Sequence, residues 1–251
     1  MTRPLALAYH GVASVSPRRD PHGLFVSPAA LRRQIRWLRR HGYRLVTFAE
    51  LAARSAAGSG SGYAALTFDD GFADNLHGLL PVLEELGAPA TVFVVSGWLG
   101  GEHPEMPGAR MLDAGELRRL HAARVEIGGH TATHPDLTTL EFADAREELA
   151  RGRSELEALL DAPVTSLAYP YGRATADTVR AAAAAGFLAA CLTSGNGVPD
   201  RALEVPREDM TNGATLLGLR LKAAGRYEPL MRHRPVRAAY RAKQLLLGAR
   251  P

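Results

Sequence analysis

Tyr63-Ala64-Ala65-Leu66-Thr67-Phe68-Asp69-Asp70-Gly71 is an apolar run that ends on two adjacent carboxylates. Its length and composition suit a buried strand, with an Ala/Gly/Ser-rich stretch over 56–62 before it and Gly71 after it. Two neighbouring Asp residues are costly inside a core. At the mouth of a strand, beside a glycine that permits a sharp turn, they suit metal or acid–base chemistry. Asp and Gly are also ordinary turn residues, so 67–71 alone leaves both readings open.

Working outward, the same grammar repeats. Leu5–Tyr9 reads as a strand ending at His10, and Tyr43–Val46 as a short second one. Ala90–Val95, Val125–Gly129, Val164–Tyr169 and Phe187–Leu192 follow, with Leu203–Val205 last. Helical periodicity fills the gaps: Ser27-Pro28 opens a helix carrying Leu31, Ile35 and Leu38, Asp113 and Glu116 form a capping box, and Gly87 closes a helix over 76–86. Thr175 to Ala185 and Glu141 to Leu160 read as further helices. About seven strand–helix units predict an α/β fold, a distorted (β/α)7 TIM-like barrel of one domain. Active sites of such barrels collect at the C-terminal ends of the strands. The barrel is expected over 1–211 and a basic helical extension over 212–251.

The bulk numbers agree with one sizeable core: 251 residues, 46% hydrophobic and 22% charged. Cys191 is the single cysteine, which excludes an intramolecular disulfide and a cysteine-based metal site. No stretch approaches a membrane span and the N-terminal run lacks the apolar core of a signal peptide, so a cytoplasmic location is expected. Residues 212–251 carry nine Lys/Arg against one acid, Glu228, a net +8; with +4 for the whole chain, the first 211 carry −4. Nucleic-acid binding is not expected from an acidic main domain with 6% aromatics. The basic tail suits a peripheral membrane or protein contact, or simply a solvated helix face.

His130-Thr131-Ala132-Thr133-His134-Pro135 is the second chemical stretch. Two histidines four apart on one helical turn can share an ion, although a lone pair of this spacing is commonly a surface feature. Convergence carries more weight. His10, Asp69-Asp70, His130/His134 and Pro170-Tyr171-Gly172 each follow a different predicted strand, so a closed barrel would turn all of them to one mouth. One carboxylate with two imidazoles is a donor set that leaves positions open for water and substrate, as catalytic metal sites do. The other carboxylate is then free to act as a base.

These motifs resemble the polysaccharide deacetylases, the NodB-homology group of carbohydrate esterase family 4. The resemblance runs over roughly residues 5–210 through Thr67–Gly71, Glu126–Pro135 and Tyr169–Gly172. It implies metal-dependent N-deacetylation of an N-acetylated amino sugar with release of acetate. Asp70, His130 and His134 would hold a divalent metal, zinc first and cobalt or nickel as alternatives, and Asp69 would be the general base. The backbone N–H of Tyr171 would stabilise the oxyanion. Trp98, Tyr169 and Tyr171, with Pro170, are candidates for contact with the sugar; packing is the competing reading for each. His103 and His121 read as surface residues.

Two departures from the family pattern matter. The family's third motif carries an arginine where this chain has Ala168; Arg207 is the expected substitute and Arg173 a poorer one, beside the reading of Arg207 as a surface strand-end residue. The family's late Leu-x-His motif is missing after residue 192. Tyr9-His10 at the end of the first strand is similar to a subgroup with permuted motifs, the poly-N-acetylglucosamine deacetylases, which implies His10 as general acid. Other readings of the same residues are a metal-dependent hydrolase of another amide or ester, and a non-catalytic carbohydrate-binding relic.

Overall fold

The computed structural model of the chain describes residues 2–16, 18–193, 201–227 and 229. Eight strands appear: β1 Leu5–Tyr9, β2 Arg44–Val46, β3 Tyr63–Phe68, β4 Thr91–Val94, β5 Glu126–Gly129, β6 Ser166–Ala168, β7 Ala189–Thr193 and β8 Val205–Asp209. Helices α1 Pro28–Arg40, α2 Phe48–Ala56, α3 Leu80–Leu86, α4 Ala114–Ala122, α5 Phe142–Leu160, α6 Ala176–Ala184 and α7 Leu216–Ala223 lie between and after them. All strand pairings are parallel. Because β1 pairs with both β8 and β3, seven strands close into a ring and the expected (β/α)7 barrel is present. β2 lies outside that ring, paired with residues 63–65 of β3, below the stretch where β4 joins at Thr67 and Phe68.

Period-two alternation splits the core into two layers. Outward residues such as Leu5, Leu7, Leu66, Val92 and Leu167 pack against Leu31, Ile35, Leu149 and Leu156 of the helical coat. Inward positions are mostly small (Ala6, Ala65, Ala168, Cys191), with Phe93 as the bulky filler. α2 plugs the bottom. Its first N–H groups, from Phe48 and Ala49, donate to Thr91 Oγ1 (2.8 Å) and Glu126 Oε2 (3.2 Å). Glu126 also accepts the Thr91 hydroxyl (2.7 Å) and the Ser166 hydroxyl. A carboxylate at a helix N-terminus is favourable, and it seals the N-terminal end of the barrel. The opposite end, where the strands run out, stays open.

The expected caps form: Ser27 accepts from Ala30, Asp113 and Glu116 exchange both capping-box bonds, and Gly87 ends α3 with left-handed backbone. Two boundaries differ from expectation. The helix over 76–86 begins as a wide turn over Asn75–Leu79, where Leu80 N–H reaches back to the Asn75 carbonyl. The last strand runs over Val205–Asp209 and not 203–205, because pairing with β1 (Ala6 with Arg207, Ala8 with Asp209) sets its register. α7, the first part of the basic extension, buries Leu219 and is tied down by Arg3, which reaches both Glu208 Oε1 and the Lys222 carbonyl at 2.5 Å. Residue 228 and residues 230–251 of the predicted tail lie outside the described residues. Among the described residues, no helix is long and apolar enough to cross a membrane.

Asp74 joins two loops at the mouth by accepting the Val12 N–H at 2.8 Å. Burial pushes its carboxyl up to about 6, against the Val12 hydrogen bond and the nearby His77. Between its ordinary value and about 6 the folded chain binds more protons than the unfolded one, so stability falls as pH rises through that window. Asp74→Asn keeps the acceptor. It is expected to flatten this slope and to add about 1–3 kcal/mol at pH 7, measured by urea unfolding at pH 4 and pH 7.

Candidate active site

The residues expected at the mouth do meet there. A cavity of about 590 Å³ is lined by His10, Asp69, Asp70, His130, His134 and Arg207, with Trp98 and Tyr171 on its wall. That size is typical of a small-molecule site.

Arg207 is an inward residue of β8, only 2% exposed, and not a surface strand-end arginine. Its Nη1 donates to Asp69 Oδ1 (2.6 Å) and Thr67 Oγ1 (2.9 Å), and its Nη2 to Asp69 Oδ2 (2.7 Å). Thr67 in turn donates its hydroxyl to the Leu7 carbonyl at 2.9 Å. This fork is the strong, bidentate form of an ion pair. Burial works to raise the Asp69 carboxyl, but the guanidinium outweighs it and holds the group below the usual carboxylate range. The fork's position follows from barrel geometry: Asp69 continues the inward face of β3, while Ala168 and Cys191 are small enough to leave it room. Arg173 is turned away, paired with Asp136 at 3.2 Å on the surface.

Asp70 faces a different set. Its Oδ1 lies 3.5 Å from His130 Nε2 and 3.9 Å from His134 Nε2, and its Oδ2 lies 3.6 Å from His103 Nε2. Burial opposes ionisation of Asp70, yet the facing imidazoles of His103 and His130 hold it well below the carboxylate range. His130 directs Nδ1–H to the Ala168 carbonyl at 2.7 Å, which leaves the Nε2 lone pair for the cluster. Burial, then the neighbouring His130, pushes His134 down to about 4, so it is neutral at pH 7. Burial also lowers His130, but the two carboxylates raise it further.

One ligand atom each from Asp70, His130 and His134 falls within 4.8 Å of the others. Two donors on one tetrahedral zinc stand about 3.3 Å apart, so these separations, too long for hydrogen bonds, suit a shared ion. The donor chemistry and the fixed His130 tautomer both fit a divalent metal.

His130 and His134 do not share a helical turn as their spacing suggested. Thr131 (φ 68°) and His134 (φ 62°) have left-handed backbone, and the chain doubles back between them. Asp70 (φ 71°) and Tyr171 (φ 58°) have it too. Such residues cost about 1–3 kcal/mol each unless their surroundings hold them. Here Thr131 Oγ1 accepts the His134 N–H (2.9 Å), and the Thr131 and Ala132 carbonyls accept from Ser96 and Gly97. α5 presses from behind. A Cβ on Gly152 would lie 2.6 Å from the Thr131 carbonyl carbon and 2.7 Å from the Ala132 nitrogen. Gly152→Ala is therefore expected to cost about 1–3 kcal/mol and to weaken ion binding by shifting the loop. Thermal melts and metal titration check this; unchanged values in both would show that the loop yields freely.

Several expectations about the wall need correction. Tyr169 is fully buried, with its hydroxyl donated to the Leu203 carbonyl at 3.2 Å, and it contributes to the cavity lining without an exposed stacking face. Pro170 is buried as well. Tyr171 is half exposed, 4.9 Å from the His134 ring, and Trp98 packs on both His134 and His103. His103 is not on the surface: it is 7% exposed and part of the cavity lining. Its loop has no periodicity to read, but Gly100-Gly101 and Pro107-Gly108 bracket it as turn signals. Together they mark the hairpin that carries it inward.

The family model described as polysaccharide deacetylase matches residues 57–190. The Bacillus subtilis protein YxkH is 26% identical over 183 residues, covering 72% of this chain and 61% of its own. A chitooligosaccharide deacetylase of Bradyrhizobium sp. (strain ANU 289) is 34% identical over 135 residues, covering 52% of this chain and 56% of its own. The chain thus spans less than two thirds of either curated relative. Among solved structures, the Streptococcus pyogenes deacetylase PplD in complex with acetate superposes with a TM-score of 0.75 at 23% identity, over 89% of this chain and 98% of that one. At that identity the likeness shows the fold.

Proposed function

Because this chain belongs to the polysaccharide deacetylase family, we propose that it hydrolyses the N-acetyl group of an amino sugar, releasing acetate. The substrate class is an N-acetylated oligosaccharide, polysaccharide or glycoconjugate intermediate, in keeping with the name of the Bradyrhizobium relative. The observation that carries this reading is the divergence of two adjacent carboxylates: Asp69 is forked by Arg207, and Asp70 turns to three imidazoles. Sugar binding alone requires neither arrangement.

Asp70, His130 and His134 would hold a divalent ion, zinc foremost, although this donor set also takes cobalt or nickel. Such an ion acidifies a water and polarises the acetamide carbonyl. Asp69, kept ionised and aligned by Arg207, accepts the proton of the water as its oxygen attacks the carbonyl carbon. The backbone N–H of Tyr171 is assigned to the developing oxyanion. His10, which follows β1 and lines the same cavity, gives a proton to the amine nitrogen as the C–N bond breaks. The products are acetate and the free amino sugar.

Acetate release from β-1,4- and β-1,6-linked N-acetylglucosamine oligomers by the zinc-loaded chain tests this. Hydrolysis lost in Asp70→Ala is the expected result. Tight zinc with no release from any acetylated saccharide would instead leave a carbohydrate-binding relic, and faster turnover of simple amides or esters would move the substrate class.

A further inference from the structure

The loop between β4 and α4 places a third histidine against the cluster. Its two arms are stitched together by Gly100 N–H to the Leu112 carbonyl (2.8 Å), Met111 N–H to Gly101 (2.9 Å) and His103 N–H to Ala109 (2.8 Å). The His103 ring lies parallel to Phe72 at 5.3 Å, with an interplanar angle of 1°, and Trp98 meets it edge-on at 4.8 Å. A ring held on both sides in this way has one orientation.

That orientation also has one tautomer. Glu105 N–H donates to His103 Nδ1 at 3.1 Å, so Nδ1 is an acceptor and the ring proton sits on Nε2. Nε2 faces Asp70 Oδ2 at 3.6 Å, while the other oxygen, Oδ1, faces His130 and His134. The separation is longer than a formed hydrogen bond, so the contact here is an oriented electrostatic one. The carboxylate is divided between two duties, one oxygen for the ligand cluster and one for a buried N–H.

We propose that His103 is a positioning residue: its Nε2–H fixes the orientation of the Asp70 carboxylate and thereby tightens metal binding by Asp70, His130 and His134. It is not itself a ligand, since its nitrogens fall outside the group of atoms that converge within 4.8 Å. Outer partners of this kind typically change metal affinity 10- to 100-fold. The inference rests on the metal-dependent reading above.

The test is the zinc dissociation constant of the full chain, measured by competition with a chromophoric chelator, together with the visible spectrum of the cobalt-loaded protein. His103→Phe keeps a ring between Phe72 and Trp98 but has no N–H. It is expected to weaken zinc about 10- to 100-fold and to shift the cobalt bands. His103→Gln, which can reach Oδ2 with an amide N–H, is expected to recover most of that loss. A Phe variant with wild-type affinity and spectrum overturns the proposal. If the Phe variant misfolds by circular dichroism, His103→Gln against the shorter His103→Asn decides, and equal affinities overturn it. Failure of the underlying reading looks different: the wild-type chain would bind zinc no better than Asp70→Ala, which removes the ion His103 is proposed to serve.

Discussion

Arg207→Ala is expected to lower the unfolding free energy by about 3–5 kcal/mol, the cost of leaving one member of a buried pair alone. Three acceptor contacts go at once, two on Asp69 and one on Thr67. In the native chain Asp69 titrates below the unfolded value, so its contribution is present above that value and is lost as pH falls through the lower, folded one. Without the guanidinium, the charges of His130 and His10 still oppose burial, but the folded carboxyl moves up from its native position. The native rise of stability with pH through the acid range should then weaken. Asp69 would also lose its alignment, and kcat/KM should drop about 10²-fold or more, as loss of a general base implies. Urea unfolding at several pH values and acetate-release kinetics on zinc-loaded protein measure both. A stable Arg207→Ala chain with native kcat/KM and full metal would remove Arg207 from the machinery. Arg207→Lys keeps the charge but not the fork, and should fall between.

Asp69→Asn should reduce acetate release by about 10²- to 10⁴-fold with zinc affinity unchanged, because the proton acceptor is gone while Asp70 and the histidines remain. The substitution also turns an amide N–H₂ toward a guanidinium nitrogen, so the buried Arg207 loses half its fork and all of its counter-charge. A stability loss is therefore expected alongside the kinetic one. The two are separable. Asp69→Asn combined with Arg207→Met should be less destabilised than the sum of the single changes, since both act on one pair, while activity stays low. An Asp69→Asn chain that keeps a tenth of native turnover would sink the assignment of Asp69 as base.

Much of this arrangement was legible in the sequence because strand ends announce themselves. An apolar run stopping on Asp69-Asp70, another on His130, and caps such as Ser27 and Asp113 are local signals, and barrel closure then brings the ends together. What was illegible depends on pairing across the chain. Arg207 is the expected substitute for the missing arginine, but its fork on Asp69 follows only from β8 pairing with β1, and β1 with β3, in a register that turns residues 207 and 69 inward. The spacing of His130 and His134 suggests a helical turn, but the loop is held back-folded by Thr131 and by the close approach of Gly152, which no short window contains. His103 and the plug formed by α2 are likewise set by contacts distant in sequence. Tyr169, adjacent to a motif and aromatic, lines the cavity but is buried, its hydroxyl tied to the Leu203 carbonyl by a contact distant in sequence.

Six non-glycine residues among those described have positive φ. Two of them, Arg124 and Asp161, follow the last turns of α4 and α5, where such geometry is a common way to leave a helix. The other four, Asp70, Thr131, His134 and Tyr171, belong to three separate loops and surround one opening. A map of the non-glycine residues with positive φ, the two helix exits set aside, would mark that opening without any knowledge of which side chains carry charge or bind ions. In this barrel the address of the chemistry is written in the backbone as well as in the residues that perform it.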